Sequence, residues 1–385
     1  MTKNVLNASE MKIRNQRKIL QLLVTPCSRA DLARKTGLTR AAISIIVDEL
    51  IKQRYIMEGE PILGKVGRKS FVLKLNPDLF YMIGLNLARD GCSVGIVNFC
   101  GKVLSVSRLQ MNETIQKTLH NIEFTIRKLI EETHLPGELL GIGITSPGPL
   151  DSSNGKILNP PNFEQWSMIN VTDYFRSKFN CTVLLENNSN ALALLEKFYG
   201  MNNQFKNFVV LNVDSGIGSG VILNSQLYKG ASGFGNDFGH MSINFLGDSC
   251  QCGNIGCAEL YASIPNIIRY ARQINPIFTD WNIIVDQALS DNTQALQVIK
   301  KESFYLSIII TNIMNILDVE AIIFTGVLTY HSSLLIDLVK TQVNRQIIAR
   351  PAKQVNLISS SITYEAPVLS SANLILEHFL KGQEH

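Results

Sequence analysis

Four residues in the middle of the chain have the types and the spacing of a metal-binding group. His240 is followed by three cysteines, Cys250, Cys252 and Cys257, in the pattern His-x9-Cys-x-Cys-x4-Cys. One imidazole and three thiolates are the ligand set of a closed, tetrahedral structural zinc site, and soft sulfur ligands favour zinc over magnesium or calcium. The alternatives are unrelated reduced cysteines or a disulfide, although nothing else in the sequence indicates export. The spacing therefore predicts a structural zinc ion, Zn2+, held by these four residues.

A second group, near the N-terminus, has residue types that contact DNA. Thr39, Arg40, Ala41 and Ser44 open a segment whose apolar residues repeat at helical spacing to about Arg54. Thr39 is a favourable N-cap for that helix. The arginine can donate two hydrogen bonds to a guanine base. We expect the first turn of this helix to lie in the major groove.

Two further helices are needed to hold the DNA-contacting helix in place. The first is predicted over residues 9–24 and is stopped by Pro26. The second is predicted to begin at Ser28, with Asp31 completing a variant of the capping box, and to end at Gly37. Short helices joined by a turn that contains glycine predict a helix-turn-helix.

A β-hairpin is predicted after the third helix, from residues 55–57 and 70–75. Its tip carries Lys65, Arg68 and Lys69 among glycines, so it suits DNA phosphates or a narrow minor groove. The hairpin therefore completes a winged helix-turn-helix.

Charge is distributed unevenly along the chain. Residues 1–80 contain 15 Lys and Arg against 7 Asp and Glu, while the rest of the chain contains 21 against 25. A basic N-terminal segment on an acidic body is typical of a nucleic-acid-binding head. A basic surface that serves only solubility is the alternative.

Residues 230–259 resemble the hallmark of the ROK family, a group of repressors and sugar kinases. That hallmark reads roughly G-x-x-G-x-x-G-E-x-G-H, then C-x-C-G-x-x-G-C-x-E, and the chain has Asp237 in place of the family's usual Glu. The resemblance implies that zinc orders this loop. It also implies that Asp237, His240 and Glu259 turn towards a sugar.

Other segments extend the ROK resemblance along the chain. Residues 145–151, which contain Gly148, resemble the family's Pro-Gly-Pro loop, and residues 186–191, which contain Asn187 and Asn188, resemble its Glu-Asn-Asp segment. The resemblance implies that these three residues contact the sugar. The N-terminal head is similar to that of the repressor branch, since stand-alone ROK kinases lack one. Members of the family form homodimers and sometimes tetramers.

Alternating strands and helices after residue 80 predict an α/β body, which the resemblance identifies as an actin-like, sugar-kinase fold with two lobes. We predict a winged helix-turn-helix DNA-binding domain over residues 1–80. A first α/β lobe is predicted over 81–195, completed by a C-terminal helix at 370–385. A second lobe over 196–369 would hold the zinc motif and the dimerisation surface.

The residues that would carry kinase chemistry are altered. The family's catalytic base is an Asp, but Asn188 occupies that position, and an amide cannot accept the proton. The first phosphate loop, Asp-x-Gly-Gly-Thr in the family, reads Asn86-Leu-Ala-Arg-Asp90 here. The glycines at 216, 218 and 220 remain, but alone they indicate either a phosphate loop or a tight strand turn. No catalytic residue is therefore predicted.

The sequence as a whole predicts a sugar-responsive repressor of a carbohydrate-utilisation operon. Its partners would be operator DNA with an inverted repeat and a sugar or sugar-phosphate effector. A ROK sugar kinase with a DNA-binding head, or a regulator whose body docks a protein, are the alternatives. The sequence has no apolar run long enough for a membrane span and no apolar signal core, so we expect a soluble cytoplasmic protein with no membrane partner.

Overall fold

The computed structural model describes residues 8–62, 70–111, 114–200, 205–362 and 365–382. These residues pack into two compact units. The first comprises residues 1–145, 170–185 and 367–385, and the second comprises 146–169 and 186–366. Among the described residues, none of the helices combines the length and the apolar composition that crossing a bilayer requires.

Helices and strands alternate along most of the chain, as the α/β prediction requires. The helices are α1 (Ala8–Leu22), α2 (Arg29–Thr36), α3 (Arg40–Lys52), α4 (Ile115–Thr133), α5 (Val171–Phe179), α6 (Asn188–Tyr199), α7 (Glu259–Ala262), α8 (Ile264–Ile274), α9 (Trp281–Leu289), α10 (Thr293–Leu317), α11 (Ser333–Gln346) and α12 (Ala366–Lys381). The strands are β1 (Cys27–Ser28), β2 (Ile56–Ile62), β3 (Ser70–Leu75), β4 (Phe80–Ala88), β5 (Gly91–Asn98), β6 (Val103–Leu109), β7 (Glu138–Ser146), β8 (Leu150–Asp151), β9 (Lys156–Ile157), β10 (Thr182–Asn187), β11 (Phe208–Val213), β12 (Ile217–Leu223), β13 (Gln226–Tyr228), β14 (Ala321–Gly326) and β15 (Asn356–Ser359).

The N-terminal segment consists of α1–α3 and a three-stranded sheet. Ser28 caps α2 through a reciprocal pair of hydrogen bonds with Asp31, and Thr39 caps α3 by accepting from the backbone N–H of Ala42 at 3.2 Å. Both caps were predicted from the sequence. Strands β2 and β3 form the predicted hairpin, and β1 adds a third strand that local patterns did not reveal. The core of this segment consists mainly of aliphatic side chains that are almost fully buried: Ile19, Leu23, Leu32, Ile43, Val47, Leu50 and Leu73.

The first unit also contains a five-stranded sheet in the order β10-β7-β4-β5-β6. Strand β4 is central, antiparallel to β5 and parallel to β7. The second unit contains a sheet in the order β15-β14-β11-β12-β13, in which β11 is antiparallel to β12 and parallel to β14. The two sheets therefore share one strand arrangement.

Helix α12 packs directly on the sheet of the first unit. A Cβ atom at Gly84 would overlap the carbonyl group of Val368, and one at Gly143 would overlap that of Ser371. Only glycine at these two strand positions lets the helix backbone approach so closely. The last helix of the chain is therefore part of the core formed by β4 and β7.

The C-terminal end of α12 also contacts the N-terminal segment. The Arg17 guanidinium donates to the carbonyl of Gly382 at 3.2 Å, and the Gln21 amide donates to that of Leu380 at 3.1 Å. Aromatic rings continue the contact, with neighbouring centroids 5.4–6.2 Å apart. The rings belong to Tyr55, Phe80, Phe99 and Phe379. Because these groups lie in one unit, the domain boundary at residue 80 stays a prediction.

The second unit contains a fully buried carboxyl group that lies outside the predicted metal and sugar sites. Glu302 on α10 is fully buried, and neither of its carboxyl oxygens has a hydrogen-bond partner among the described residues. Burial raises the pKa of Glu302 well above its ordinary value of 4.5. Because the unfolded chain releases this proton near pH 4.5 while the folded chain keeps it, stability must fall as the pH rises above that value.

We expect Glu302→Leu to raise the free energy of unfolding by about 1–3 kcal/mol at neutral pH, the range for an unsatisfied buried polar group. The gain should shrink as the pH falls towards 4.5, where the wild-type carboxyl is protonated in both states. Melting temperatures from pH 5 to 8 test this. Glu320→Gln is the control, because hydrogen bonds from Asn207 and Lys206 lower the pKa of Glu320 and give its contribution the opposite dependence on pH. A destabilised or pH-independent Glu302→Leu variant would contradict the assignment.

Candidate functional site

The four predicted metal ligands lie together in the second unit. One ligand atom from each of His240, Cys250, Cys252 and Cys257 lies within 4.8 Å of the others. Nδ1 of His240 is 3.7 Å from Sγ of Cys250, and Sγ of Cys252 is 3.6 Å from Sγ of Cys257. Zinc bonds of about 2.0–2.3 Å at tetrahedral angles give edges of roughly 3.5–3.8 Å between ligand atoms. These two edges fit that tetrahedron, so the four residues are placed where they could hold a metal ion.

Short backbone pairings bring the ligands together. The 3-10 turn Phe238–His240 presents the imidazole. Ser242 then pairs with Cys257 in an isolated antiparallel bridge, and the N–H of Cys250 donates to the carbonyl of Asn254 at 2.8 Å. The loop therefore folds back on itself and brings the four ligands together.

The sulfur atoms are crowded and partly removed from water. Burial, together with the adjacent sulfurs of Cys252 and Cys250, raises the pKa of the Cys257 thiol to about 12. Cys257 therefore keeps its proton at neutral pH unless a bound cation displaces it.

A polar cluster adjoins the metal-binding group. Because Nδ1 of His240 faces the sulfurs, Nε2 on the opposite side of the ring points away from them. The pKa of the Asp237 carboxyl group is raised, mainly because the surrounding protein removes part of its water, although the residue keeps some exposed surface. The neighbouring Glu259 also raises this pKa, and His240 lowers it. Glu259 accepts from the N–H of Ile217 through Oε2 at 2.9 Å. The structure thus brings Asp237, His240 and Glu259 together.

The predicted amide residues are positioned by α6. The Asn187 side-chain oxygen caps this helix by accepting from the N–H of Ser189 at 2.9 Å. This oxygen is therefore already used in a hydrogen bond within the protein. Its Nδ2 lies 3.0 Å from the place where a Cβ on Gly148 would be, so these two predicted residues are neighbours. Asn188 is the first residue of the helix and is half-buried.

A buried carboxylate, paired with a half-buried lysine, anchors this segment, and the sequence did not single out the pair as functional. Glu186 is buried, accepts from the N–H of Asn187 at 2.9 Å and from Nδ2 of Asn190 at 3.0 Å, and pairs with Lys229. Glu186 was visible in the sequence as part of a motif, but its partner lies 43 residues away and carried no local signal.

The acidic and amide groups approach each other at the beginning of β12. Glu259 bonds Ile217, while a Cβ on the next residue, Gly218, would overlap the Ser189 hydroxyl of α6. Consecutive Cα atoms are about 3.8 Å apart. Both groups of predicted sugar-contacting residues are therefore anchored at adjacent positions of one strand within the second unit.

The retained glycines of β12 have a structural explanation. A Cβ on Gly220 would lie 2.7 Å from that of Ala193 and would overlap the carbonyl of Ser189. Together with Gly218, it lets α6 lie against the strand. The glycine pattern therefore does not require a phosphate ligand.

In the first unit, the altered phosphate loop is a tight hairpin. Ala88 pairs with Gly91, so only Arg89 and Asp90 lie in the turn. The Asn86 amide donates to the Thr145 hydroxyl at 2.9 Å. This turn offers no glycine-rich stretch of N–H groups to hold a phosphate. In the second unit, Trp166 is buried in a stack with Phe163.

The residues predicted to contact DNA lie at the start of α3. Arg40 and Ala41 are exposed and Ser44 is half-buried, whereas the Thr39 hydroxyl is engaged as the helix cap. The hairpin residues Lys65, Arg68 and Lys69 lie outside the described residues. One contact missed from the sequence is made by Arg29, which bonds both Asp48 of α3 at 2.8 Å and Glu58 of β2 at 2.9 Å and so ties the helix to the hairpin.

The chain is similar to known proteins in both its sequence and its fold. A sequence model described as the ROK family matches residues 82–378. The chain is similar to a xylose repressor of Bacillus spizizenii, at 31% identity over 95% of this chain and 96% of that protein. Its fold is similar to a ROK family transcriptional regulator, a homologue of the Escherichia coli MLC protein, with a TM-score of 0.80, 24% identity and 97% coverage of both chains. It is also similar to a ROK family glucokinase from Streptomyces griseus solved with glucose and AMPPNP, with a TM-score of 0.67, 21% identity and coverage of 76% of this chain and 98% of that one.

Proposed function

This chain belongs to the ROK family, and from that membership we propose that it is a sugar-responsive transcriptional repressor of a carbohydrate-utilisation operon. The N-terminal segment binds operator DNA as a winged helix-turn-helix, and a sugar bound in the body releases it. The observation that carries this proposal is the resemblance over 95% of the chain, N-terminal segment included, to a repressor. The glucokinase covers only 76% of the chain.

Electrostatics support the DNA-binding part of the proposal. Every acidic residue on α2 and α3 has a cationic partner, as in Arg34 with Asp31 and Lys12 with Glu49, both at 2.7 Å. Lys35, Arg40 and Lys52 form no ion pair within the described residues and are exposed. The uncompensated charge is therefore positive, as binding to phosphates requires.

Zinc is the metal we propose for the Cys3His group, since that donor set and its tetrahedral edges suit zinc. The ion would join His240 to the loop that ends at Cys257. Its role is structural: it fixes the direction of the imidazole, whose Nε2–H is then oriented to donate to a sugar hydroxyl.

The sugar is proposed to bind beside the metal group. Asp237 and Glu259 accept from its hydroxyls, and Asn187 donates through Nδ2. Asn188 and Gly148 complete the contacts. The name of the Bacillus relative makes xylose the first sugar to test; glucose and N-acetylglucosamine follow.

Sugar binding must change the affinity for DNA through two states of the protein. We propose that a sugar favours one conformation of the body, which it can do only by its differential affinity for the two. In a homodimer, or a tetramer built from it, that change would alter the spacing of two winged helices. The division at residues 80 and 195 and a cytoplasmic location are parts of the same proposal.

Catalysis is not part of the proposed function. An amide at 188 and a two-residue turn at 89–90 replace the base and the phosphate loop that phosphoryl transfer needs. The alternative, a ROK kinase with a DNA-binding head, predicts turnover on the order of 1–100 per second. We expect no sugar-dependent ATP hydrolysis in a coupled assay with the sugars named above, and turnover in that range would establish the alternative. A body that docks a protein instead would bind none of these sugars in calorimetry.

The DNA-binding proposal is tested by selecting duplexes from a random library with the full-length protein. We expect an inverted repeat whose half-sites lie about one helical turn, or a multiple of it, apart. Arg40→Ala should lose about 1–3 kcal/mol on the selected duplex if the guanidinium reads a base, and Arg68→Ala should weaken all duplexes more evenly and reduce the salt dependence. Arg272→Ala removes an exposed arginine of α8 and should have no effect. Failure to enrich any duplex would refute operator binding.

A further inference from the structure

One side chain on the exposed face of α3 has the wrong polarity for a solvated surface. Ile45 is 62% exposed, while Ile43, Ile46, Val47 and Leu50 of the same helix are buried. Single exposed apolar residues are common on protein surfaces. The position of Ile45 relative to its neighbours therefore decides whether it has a role.

Ile45 lies on the same exposed face of α3 as the residues proposed to contact DNA. Residues four apart share one face of a helix, so Ile45 lies one turn beyond Ala41, which is also exposed. Arg40 lies at the start of that face. The apolar strip formed by Ala41 and Ile45 is thus continuous with the residue proposed to read guanine.

The charges around the strip favour close approach to a polyanion. Asp48, one turn beyond Ile45, would repel phosphates, but Arg29 pairs with it at 2.8 Å. Arg40 and Lys52, at the two ends of α3, make no ion pair with another described residue. The exposed face of α3 is therefore apolar in the middle and positively charged at both ends. This distribution is complementary to a DNA major groove, where base edges lie between two phosphate backbones.

The major groove exposes one apolar group, the C5 methyl of thymine. Base edges otherwise present hydrogen-bond donors and acceptors, which an isoleucine cannot satisfy. We propose that Ile45 is a specificity-determining residue that reads a thymine methyl in each operator half-site. The inference rests on the proposed function and adds to it the chemistry of one recognised base.

The test removes the methyl group and the side chain separately. The full-length wild type first selects a duplex from a random library. Each thymine of that duplex is then replaced, one at a time, by deoxyuridine, which lacks only the methyl. Affinities are measured by fluorescence anisotropy for the wild type, for Ile45→Ala and for Ile13→Ala. The last is a matched control, since Ile13 is an exposed isoleucine of α1.

In each half-site, replacing one particular thymine should lower the affinity more than replacing any other. Its replacement should weaken the wild type and Ile13→Ala about 4-fold, the equivalent of about 0.8 kcal/mol for one methyl-sized group. Ile45→Ala should bind the thymine duplex at least about 4-fold more weakly than the wild type and should not respond to the loss of that methyl. Because Ile45 is exposed, alanine there should leave the melting temperature unchanged.

The outcomes separate the inference from the function it rests on. If no duplex is enriched, the proposed function fails. If a duplex is enriched but Ile45→Ala and the wild type respond equally to every methyl removed, the inference is overturned. It is also overturned if Ile45→Ala changes the oligomeric state in sedimentation, because the side chain then packs against protein.

Discussion

Cys257→Ser is expected to abolish stoichiometric zinc binding and to lower the free energy of unfolding by more than about 4 kcal/mol, the range reached when a structural metal is lost. Cys257 is fully buried, and its sulfur is 3.6 Å from that of Cys252. A serine hydroxyl remains protonated near neutral pH and is a poor zinc ligand. The backbone bridge between Cys257 and Ser242 would then lose the cross-link that holds it closed.

Elemental analysis and thermal unfolding of the full-length protein measure both effects. Cys92→Ser is the matched control, since it makes the same change at a buried cysteine of β5. It should leave the zinc content unchanged. A Cys257→Ser protein that keeps one zinc per chain, or a zinc-free wild type that melts at the temperature of the zinc-loaded form, would contradict the assignment.

Glu259→Ala is expected to give a repressor that binds its operator but no longer responds to sugar. A hydrogen bond to a charged group contributes about 1.5–3 kcal/mol, so sugar affinity should fall by about 10- to 150-fold. In the wild type, sugar should weaken operator binding, and the operator should weaken sugar binding by the same factor, typically about 5–150-fold. Operator titrations with and without saturating xylose measure the first factor, and calorimetry with and without operator measures the second.

Glu259→Gln separates the sugar contact from the structural role of this side chain. Its amide oxygen can still accept from the N–H of Ile217, the bond that the glutamate makes at 2.9 Å, but the negative charge is gone. We expect wild-type stability with weakened sugar binding. An Ala variant that responds with the wild-type midpoint would show that the sugar binds elsewhere, and tighter operator binding with sugar would make the protein co-repressed.

Local chemistry explains which features could be predicted from the sequence. Helix caps at Ser28 and Thr39 need partners only three residues away, so their residue types suffice. The metal-binding group is similar, because His240 and the three cysteines lie within one short loop, so their residue types and spacing indicate the ligand set. The α/β class of the body followed from the repeated alternation of strands and helices, whereas the shared strand order of the two sheets is visible only in the structure.

Features that depend on distant partners could not be predicted. Strand β1 consists of two residues and exists because it pairs with β3 across about 45 positions of sequence. Gly218 and Gly220 are required by the approach of α6, which no count of glycines in a loop reveals.

The position of α12 has a consequence for biosynthesis. Residues 366–381 leave the ribosome after the other helices, yet β4 and β7 pack on this helix, and Arg17 bonds a carbonyl 365 residues away. Domains generally fold as units during synthesis, N-terminal first. The N-terminal segment is therefore translated hundreds of residues before the surface that it packs against is complete. Newly made chains should acquire a fixed orientation of that segment only after residues 366–382 have been synthesised, so that a nascent repressor lacking them cannot hold its operator in the mature geometry.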